Sequence, residues 1–433
     1  MKRFFFLCFI VLLLTLFPVY CFASIYIDIN APSFQRFRTA IPDFVPLGSI
    51  GSDNIGAEIS KTLTNDLNLS GYFEIMDPRG FIEQYLDRES FSRPRLQNWS
   101  VIRTDLLVTG GYSEIGDGLE IEFKLFDVLL GREIMGKRII GYKNNVKEAA
   151  HRIADQILLL LAGHEGFFNT KIIFVSNSSG SKEIFMCNFD GSNPEKVVGG
   201  NIAIFPKLSH DGRQVAYNQF GEDGIARLFL KDLATGKITT LSSRKGLNLA
   251  AAWDPNGKTL VLTMSNDGQQ DLYRIDLTGK IVEQITAQRS IDVSPCFSPD
   301  GQKIAFVSNR SGSPQIYIKN LLTKEENRLT FEGTYNTSPA WSSRGKIAFV
   351  SMVQNRFDIY TIEPNGSNLR KLTNNQKDNE EPSWSPDGRY IVFSSNRSGS
   401  YQLYITSESG QSQVRITNLK GNQIAPSWGK TFK

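Results

Sequence analysis

The sequence predicts a multidomain protein in which a small N-terminal α/β domain precedes a six-bladed β-propeller closed by the C-terminal strand. Three observations support this prediction: a 44-residue period over residues 170–433, four strand-and-turn units in each period, and the absence of the period from residues 24–165. Repeats of about 40–50 residues are typical of propeller blades. The 433 residues also exceed what one domain of roughly 100–200 residues holds.

The first 23 residues have the organisation of a secretory signal peptide. Lys2 and Arg3 form a basic start, residues 4–17 carry no charge, and Cys21-Phe22-Ala23 resembles a cleavage motif. We expect cleavage before Ser24 and export across the inner membrane. An uncleaved anchor is the alternative, but this apolar run is shorter than the roughly 20 residues of a membrane span. The rest of the chain contains no predicted span.

Residues 24–165 form the predicted α/β domain. Apolar residues at four-residue steps over 52–67 predict an amphipathic helix. Asn145 and Glu148 predict a capping box at the start of a second helix, with His151 on its polar flank. Strands are predicted at 106–109, 119–127 and 133–142, and residues 163–169 form the predicted linker.

Three series of apolar residues recur in phase through the second domain. Four of the five tryptophans belong to one of them. The series are Leu208, Trp253, Phe297, Trp341, Trp384, Trp428; Phe185, Phe229, Tyr273, Tyr317, Tyr360, Tyr404; and Val197, Leu241, Ile285, Leu329, Leu372, Ile416. Asp-Gly and Ser-Gly pairs between the short strands supply the positive φ angles of tight turns.

The blade count follows from one repeated strand. The strand that starts at Ile172 has five later equivalents, which makes six blades within residues 170–433. A tryptophan-bearing strand should precede Ile172 and is missing there, whereas an additional one occurs at residues 425–428. We therefore expect residues 425–428 to complete the first blade, because a closed ring leaves no free strand edge.

Composition and motifs argue against most catalytic and nucleic-acid functions. The formal charge of +4 falls to +2 once Lys2 and Arg3 are removed, which is too little to indicate nucleic-acid binding. No G-x-S-x-G nucleophile motif, phosphate loop or metal-ligand spacing occurs, so we predict no enzyme, no cofactor and no metal. Cys187 and Cys296 are expected to be buried free thiols.

The aspartates and histidines are assigned structural roles. Asp211, Asp300 and Asp387 lie in turns, where a carboxylate bonds its own backbone. The three histidines have no partner at catalytic spacing in the sequence.

The loops that lead into each tryptophan-bearing strand are the predicted interaction surface. They gather on one face of a propeller and here combine acidic, basic and apolar residues, as protein interfaces do. They are residues 244–250, 289–294, 331–338 and 377–381. Two rival functions are a hydrolase or lyase that acts on an envelope polymer from the channel, and a carbohydrate-binding module.

A family resemblance rests on two features of the sequence. One is the set of repeat motifs P-x-W-S-P-D-G, I-A-F-x-S-N-R-S-G, I-Y and L-T, and the other is Ile41-Pro42-Asp43-Phe44 near the start of the first domain. An exported chain of this domain order resembles the TolB family, periplasmic components of the Tol–Pal system. The resemblance implies a non-enzymatic monomeric adaptor in the periplasm that supports outer-membrane integrity and constriction during cell division. Its implied partners are the peptidoglycan-associated lipoprotein Pal, TolA and further envelope proteins.

The resemblance also implies two partner sites. Pal would bind the propeller mouth around Leu247, Ala250 and Val293, although Leu247 and Val293 stand where the family often has polar residues. The other residues that we assign to this mouth are Asn248, Asp292, Tyr335, Asn336, Asn379 and Glu380. TolA would bind the N-terminal segment, which comprises Ser24, Ile25, Tyr26, Ile27, Asp28 and Ile29. The alternation of this segment permits either a docked strand or a free one.

Overall fold

A computed structural model describes residues 36–431 except 49–52, 84, 86, 165, 267, 375–376 and 411–412. The predicted signal peptide and the predicted TolA-binding residues Ser24–Ile29 lie outside the described residues. Among the helices within the described ranges, none combines the length and the hydropathy of a membrane-crossing segment.

The N-terminal domain is a mixed sheet with helices against it. The strands are β1 (Phe37–Ala40), β2 (Val45–Pro46), β3 (Phe73–Ile75), β4 (Leu106–Ile115), β5 (Gly118–Asp127) and β6 (Arg132–Tyr142). Strand β1 pairs in parallel with β3 and β4, β2 pairs in parallel with β4, and β4, β5 and β6 are antiparallel. The helices are α1 (Asp53–Ser70), α2 (Arg88–Ser92), α3 (Leu96–Val101) and α4 (Val146–Ala162), with 3-10 turns at Pro78–Gly80 and Lys143–Asn145.

Helices α1 and α4 pack together over the sheet through their apolar faces. Ile59 and Leu63 from α1 and Ile153 and Ile157 from α4 are all fully buried in one core. The predicted capping box is not formed. Asn145 precedes α4, but its side-chain amide donates to the Glu148 carboxylate at 2.6 Å and makes no bond to the helix backbone.

The second domain has six four-stranded antiparallel sheets, which confirms the predicted propeller. Blade 2 contains β10 (Ala203–Leu208), β11 (Gln214–Phe220), β12 (Ala226–Asp232) and β13 (Ile238–Ser242). Blade 3 contains β14 (Asn248–Trp253), β15 (Thr259–Asn266), β16 (Gln269–Asp276) and β17 (Ile281–Gln284). Blade 4 contains β18 (Asp292–Phe297), β19 (Lys303–Ser308), β20 (Gln315–Asn320) and β21 (Glu326–Arg328).

The remaining blades include the closure of the ring. Blade 5 contains β22 (Tyr335–Trp341), β23 (Ile347–Val353), β24 (Arg356–Ile362) and β25 (Arg370–Lys371). Blade 6 contains β26 (Asn379–Trp384), β27 (Tyr390–Ser398), β28 (Ser400–Ser407) and β29 (Gln413–Arg415). Blade 1 combines β7 (Thr170–Ser176), β8 (Glu183–Asn188) and β9 (Glu195–Val198) with the C-terminal β30 (Gln423–Lys430). The pairing of β30 with β7 confirms the predicted closure.

The series of aromatic residues holds neighbouring blades together. The indole N–H of Trp384 donates to the Ala340 carbonyl of the preceding inner strand at 3.0 Å, and Trp253 bonds the Lys207 carbonyl in the same way. Trp428 instead donates to the Thr170 hydroxyl at 2.7 Å. Each indole therefore adds a hydrogen bond to a large apolar contact.

The turn aspartates have the structural role that the sequence predicts. Asp300 accepts a hydrogen bond from the Ser298 hydroxyl and one from the backbone N–H of Gln302. Asp211 and Asp387 repeat this arrangement in blades 2 and 6.

The two domains meet over blades 1 and 6. The Tyr390 hydroxyl donates to the Ser70 carbonyl at 2.6 Å, and the Phe167 ring lies 4.0 Å from the Tyr390 ring between centroids. Phe167 also contacts Phe189 and Trp428. The predicted linker is therefore partly a buried aromatic wedge that joins the domains.

His151 does not lie on a polar flank, and this part of the prediction is wrong. Its side chain is buried between α1, α4 and the propeller, where Nδ1 lies 2.7 Å from Asp66 Oδ2 and the ring packs against Phe189. Burial raises the pKa of Asp66 to about 6. Burial also opposes the charged form of His151, but the hydrogen bond with Asp66 and its charge outweigh burial and raise the pKa of His151.

The Asp66–His151 pair should show strong energetic coupling. Each of Asp66→Ala and His151→Ala leaves a buried polar partner unpaired, so we expect either to lower the free energy of unfolding by about 3 kcal/mol. The double variant should cost less than the sum of the two by about 1 kcal/mol or more. Denaturant unfolding of the four proteins measures this coupling, and additive losses would contradict it.

The same pair should make stability depend on pH. A raised His151 pKa gives stabilisation that is complete below 6.5 and is lost as the pH rises through the folded-state pKa. The raised Asp66 pKa acts in the same direction between 3.8 and about 6. The stability difference between wild type and the double alanine variant should therefore be larger at about pH 5 than at about pH 8. A difference that is constant or grows with pH would contradict this assignment.

Candidate functional site

The candidate surface is the face formed by the inter-blade loops, which we call the inter-blade face. Each loop connects the outer strand of one blade with the inner strand of the next, so all six reach the same end of the channel. The loops are residues 199–202, 243–247, 285–291, 329–334, 372–378 and 416–422. The opposite end, which we call the turn face, carries the turns that follow the inner strands. Tyr390 and Phe189, which contact the N-terminal domain, lie towards the turn face.

In five of the six blades, the first or second residue of the inner strand is a buried polar anchor. Asn248, Asp292, Asn336 and Asn379 were predicted to contact a partner, but their side chains are 0% exposed. Because they are buried, these four side chains cannot form a contact surface, and the prediction is corrected for them. Gln423 occupies the same position in blade 1 and is also fully buried.

The anchors hold the inter-blade loops against the preceding blade. The Asn379 amide donates to Asp358 Oδ1 and to the Lys377 carbonyl, and its oxygen accepts from Arg397. Asp292 accepts from Arg310 at 3.0 Å and from the Ser290 hydroxyl. The anchors therefore give rigid loops, which lowers the entropy that partner binding must offset.

Each inner strand then contains a bulge with one residue in the left-handed region. The bulge residues have φ between 51° and 56°, and the ladder register shifts beside each of them. They are Phe205, Ala250, Ser294, Ser338, Glu381 and Ala425. A non-glycine residue pays roughly 1–2 kcal/mol for this conformation. The same strained backbone conformation recurs in all six blades, which indicates that every inner strand requires the bulge at this position.

The residue before each bulge forms a ring that we call the mouth ring. All six side chains are partly exposed, and four are aliphatic. The mouth ring is Ile204, Leu249, Val293, Thr337, Glu380 and Ile424. The sequence prediction named Val293 and Glu380 individually, and its predicted loops 244–250 and 331–338 also contain Leu249 and Thr337. The signal for the others was available, because these positions keep the phase of the tryptophan series.

Further apolar side chains on the loops extend this surface. Tyr335, one of the predicted residues, is 37% exposed and packs edge-on against Phe357. Phe331 is 74% exposed, with the Arg328 guanidinium over its ring. Ile202 and Ile291 are exposed just before their inner strands, and the prediction named neither individually. Leu247 and Ala250 are partly exposed, as a contact role requires.

The predicted loop 377–381 contains the acidic residues Asp378, Glu380 and Glu381, and the two glutamates are engaged within the protein. The Tyr401 hydroxyl donates to Glu380 at 2.6 Å, and Glu381 accepts from the Ala425 backbone N–H and the Ser394 hydroxyl. Burial raises the pKa values of both Glu380 and Glu381. With Lys182, they line a cavity of about 220 Å³ at the mouth. This part of the surface is therefore less acidic than its sequence suggests.

The described residues contain no group of three or more histidine, cysteine or acidic side chains that could hold a metal ion. Both cysteines are free thiols; Cys187 is buried as predicted, whereas Cys296 is partly exposed, so the prediction of a buried residue is wrong for Cys296. Burial raises the pKa of Cys296 to about 12, so its thiolate form is scarce near neutral pH.

Comparisons with protein families match nearly the whole described chain. The TolB amino-terminal domain family matches residues 25–134, and the TolB beta propeller domain family matches residues 159–432. The Tol-Pal system protein TolB of Desulfosudis oleivorans is 35% identical over 264 residues, which are 60% of this chain and 60% of that protein. The corresponding protein of Desulfotalea psychrophila is 33% identical over 250 residues, 57% of this chain and 55% of that protein.

The chain therefore aligns with less than two thirds of the length of these curated relatives. A solved structure extends the likeness to both domains. The crystal structure of TolB from Acinetobacter baumannii superposes with a TM-score of 0.81 at 25% identity. The superposition covers 92% of this chain and 97% of that one.

Proposed function

Because this chain belongs to the TolB family, we propose that it is a non-enzymatic adaptor of a Tol–Pal system in the periplasm. In this proposal it acts as a monomer that binds Pal through the inter-blade face and TolA through its N-terminal segment. It thereby helps to maintain outer-membrane integrity and constriction during cell division. Other envelope proteins are further candidate partners.

The mouth ring is the observation that most supports a protein partner at the inter-blade face. Its aliphatic members, together with exposed Phe331 and Tyr335, give this end of the channel an apolar surface. Polar anchors behind it keep the loops in place, and aromatic residues near an apolar centre are typical of binding hot spots. The contacts with the N-terminal domain lie towards the other face.

Substitutions of the proposed contact residues differ in how cleanly they would test partner binding. Leu247 and Ala250 are partly exposed and belong to none of the buried apolar clusters. Val293 packs against the cluster formed by blades 4 and 5, so its substitution would also disturb folding. Leu247 and Ala250 are therefore the better probes, and Glu381 shows that a glutamate fits the bulge conformation of Ala250.

The rival function, a hydrolase or lyase that acts from the channel, has less support. It requires convergent carboxylates or a metal. A cavity of about 470 Å³ in the channel has no aspartate or glutamate in its lining. An adaptor needs no such groups.

Leu247→Glu combined with Ala250→Glu should abolish Pal binding. Both substitutions place a charge on the proposed apolar contact, which would be buried unpaired in the complex. We expect calorimetric titration of the exported chain with the soluble domain of Pal to show saturable one-to-one binding, weakened at least 100-fold in the variant. Thermal unfolding checks that the variant is folded.

Gln302→Glu combined with Lys258→Gln is the matched control. It changes the net charge by the same two units in turns of the opposite face, where both residues are exposed. Its affinity for Pal should match that of wild type. Retained binding by the Leu247/Ala250 variant would discard this site, and a wild-type chain that does not bind Pal would contradict the proposed function.

Removal of residues 24–35 should separate the two partners. We expect the shortened chain to lose binding to the periplasmic part of TolA, because the alternating segment that could add a strand to a partner is gone. Pal binding should persist. Pull-down and calorimetry with each partner test this, and unchanged TolA binding would contradict the assignment.

A further inference from the structure

The channel holds a second candidate site at the turn face, away from the mouth ring. A cavity of about 470 Å³ lies there, and all six blades contribute to its lining. Its lining includes six prolines, four tryptophans and Phe297, alongside six serines. Both the volume and the apolar walls are typical of sites for small organic molecules. We call it the turn-face cavity.

The charges that line the turn-face cavity have one sign. Lys207 and Lys430 contribute ammonium groups, His210 contributes an imidazole, and the lining includes no aspartate or glutamate. Lys430 is exposed at the rim, whereas Lys207 lies on the inner strand of blade 2. The cavity therefore favours a negatively charged occupant.

Lys207 is placed to anchor that charge. Its ammonium makes no hydrogen bond or ion pair with any residue of the described ranges, so its donors remain available. Burial lowers the pKa of Lys207, and the negative charge of Glu381 acts in the opposite direction. A charged group taken out of water gains more from a paired anion than an exposed one does.

Two serines at the position equivalent to Lys207 add neutral donors. The Ser427 hydroxyl accepts the backbone N–H of Leu208 at 3.2 Å, and the Ser383 hydroxyl accepts that of Trp428 at 3.0 Å. Both serines line the cavity. Each hydroxyl oxygen is thus engaged as an acceptor, while its proton is free to donate to a ligand.

We propose that the turn-face cavity binds a small organic anion, a carboxylate with an apolar body. The carboxylate pairs with Lys207 and accepts from Ser383 or Ser427, and the apolar body lies among the tryptophans. A singly charged carboxylate suits this site better than a dianion, because apolar walls replace little of the hydration that a dianion loses. The site is separate from the inter-blade face, and the inference does not rest on the proposed partners.

Three probes of nearly equal shape test the proposal: phenylacetate, neutral phenylacetamide and cationic phenethylamine. Four of the five tryptophans line the cavity, so tryptophan fluorescence and calorimetry of the exported chain both report occupancy. We expect saturable binding of phenylacetate at least tenfold tighter than that of phenylacetamide, and no saturable binding of phenethylamine. Equal affinity for phenylacetate and phenylacetamide, or no saturable binding of phenylacetate, would overturn the proposal.

Substitution then locates the site. Lys207→Met keeps the length of the side chain and removes its charge, so the preference for phenylacetate over phenylacetamide should disappear. Lys430→Met removes a charge from the rim and should leave that preference within about twofold. An equal loss in both variants, or none in Lys207→Met, would overturn the role of Lys207. Thermal unfolding confirms that each variant is folded, and the Ser383→Ala variant gives a second, milder reduction.

Discussion

The pairing of β30 with β7 is the contact on which the rest of the structure depends. It joins residues more than 240 positions apart in sequence and supplies the inner strand of the blade that faces the N-terminal domain. Without it, β7 would present an unpaired edge, and Trp428 would be lost from the aromatic contact with Phe167. Ring closure therefore also contributes to domain docking, because β30 carries one of the aromatic residues that contact Phe167.

The six inner strands show how one local geometry sets up both ends of the channel. Each strand runs through a mouth-ring residue and a left-handed bulge residue and then reaches the turn-face cavity, and in every blade except blade 2 a buried polar anchor precedes them. In blade 2 this path runs from Ile204 to Lys207, and in blade 4 from Val293 to Cys296. In every blade the bulge residue lies between the mouth-ring residue and the residues that line the turn-face cavity. The strained backbone therefore has the same structural role in all six blades.

Most of the propeller could be predicted from sequence because of its repeat. Residues that recur in phase over six blades must occupy equivalent positions in each blade, so the period indicates where the strands and turns lie. The blade count, the closure and the turn aspartates follow from spacing alone. The N-terminal domain has no such redundancy. His151 shows the limit, since its helical position indicates a solvent face, whereas α1 with Asp66 and the docked propeller with Phe189 bury it.

The same limit applies to the predicted surface. Asn248, Asp292, Asn336 and Asn379 look like exposed loop residues, because polarity in a loop usually indicates solvent. The three asparagines are buried because each donates to a backbone carbonyl of its own inter-blade loop, whereas Asp292 is buried in a pair with Arg310. Their burial makes the surface more apolar than the sequence suggests, since it leaves the aliphatic mouth ring as the exposed part. A partner that matches this surface is therefore recognised mainly by shape and apolar contact.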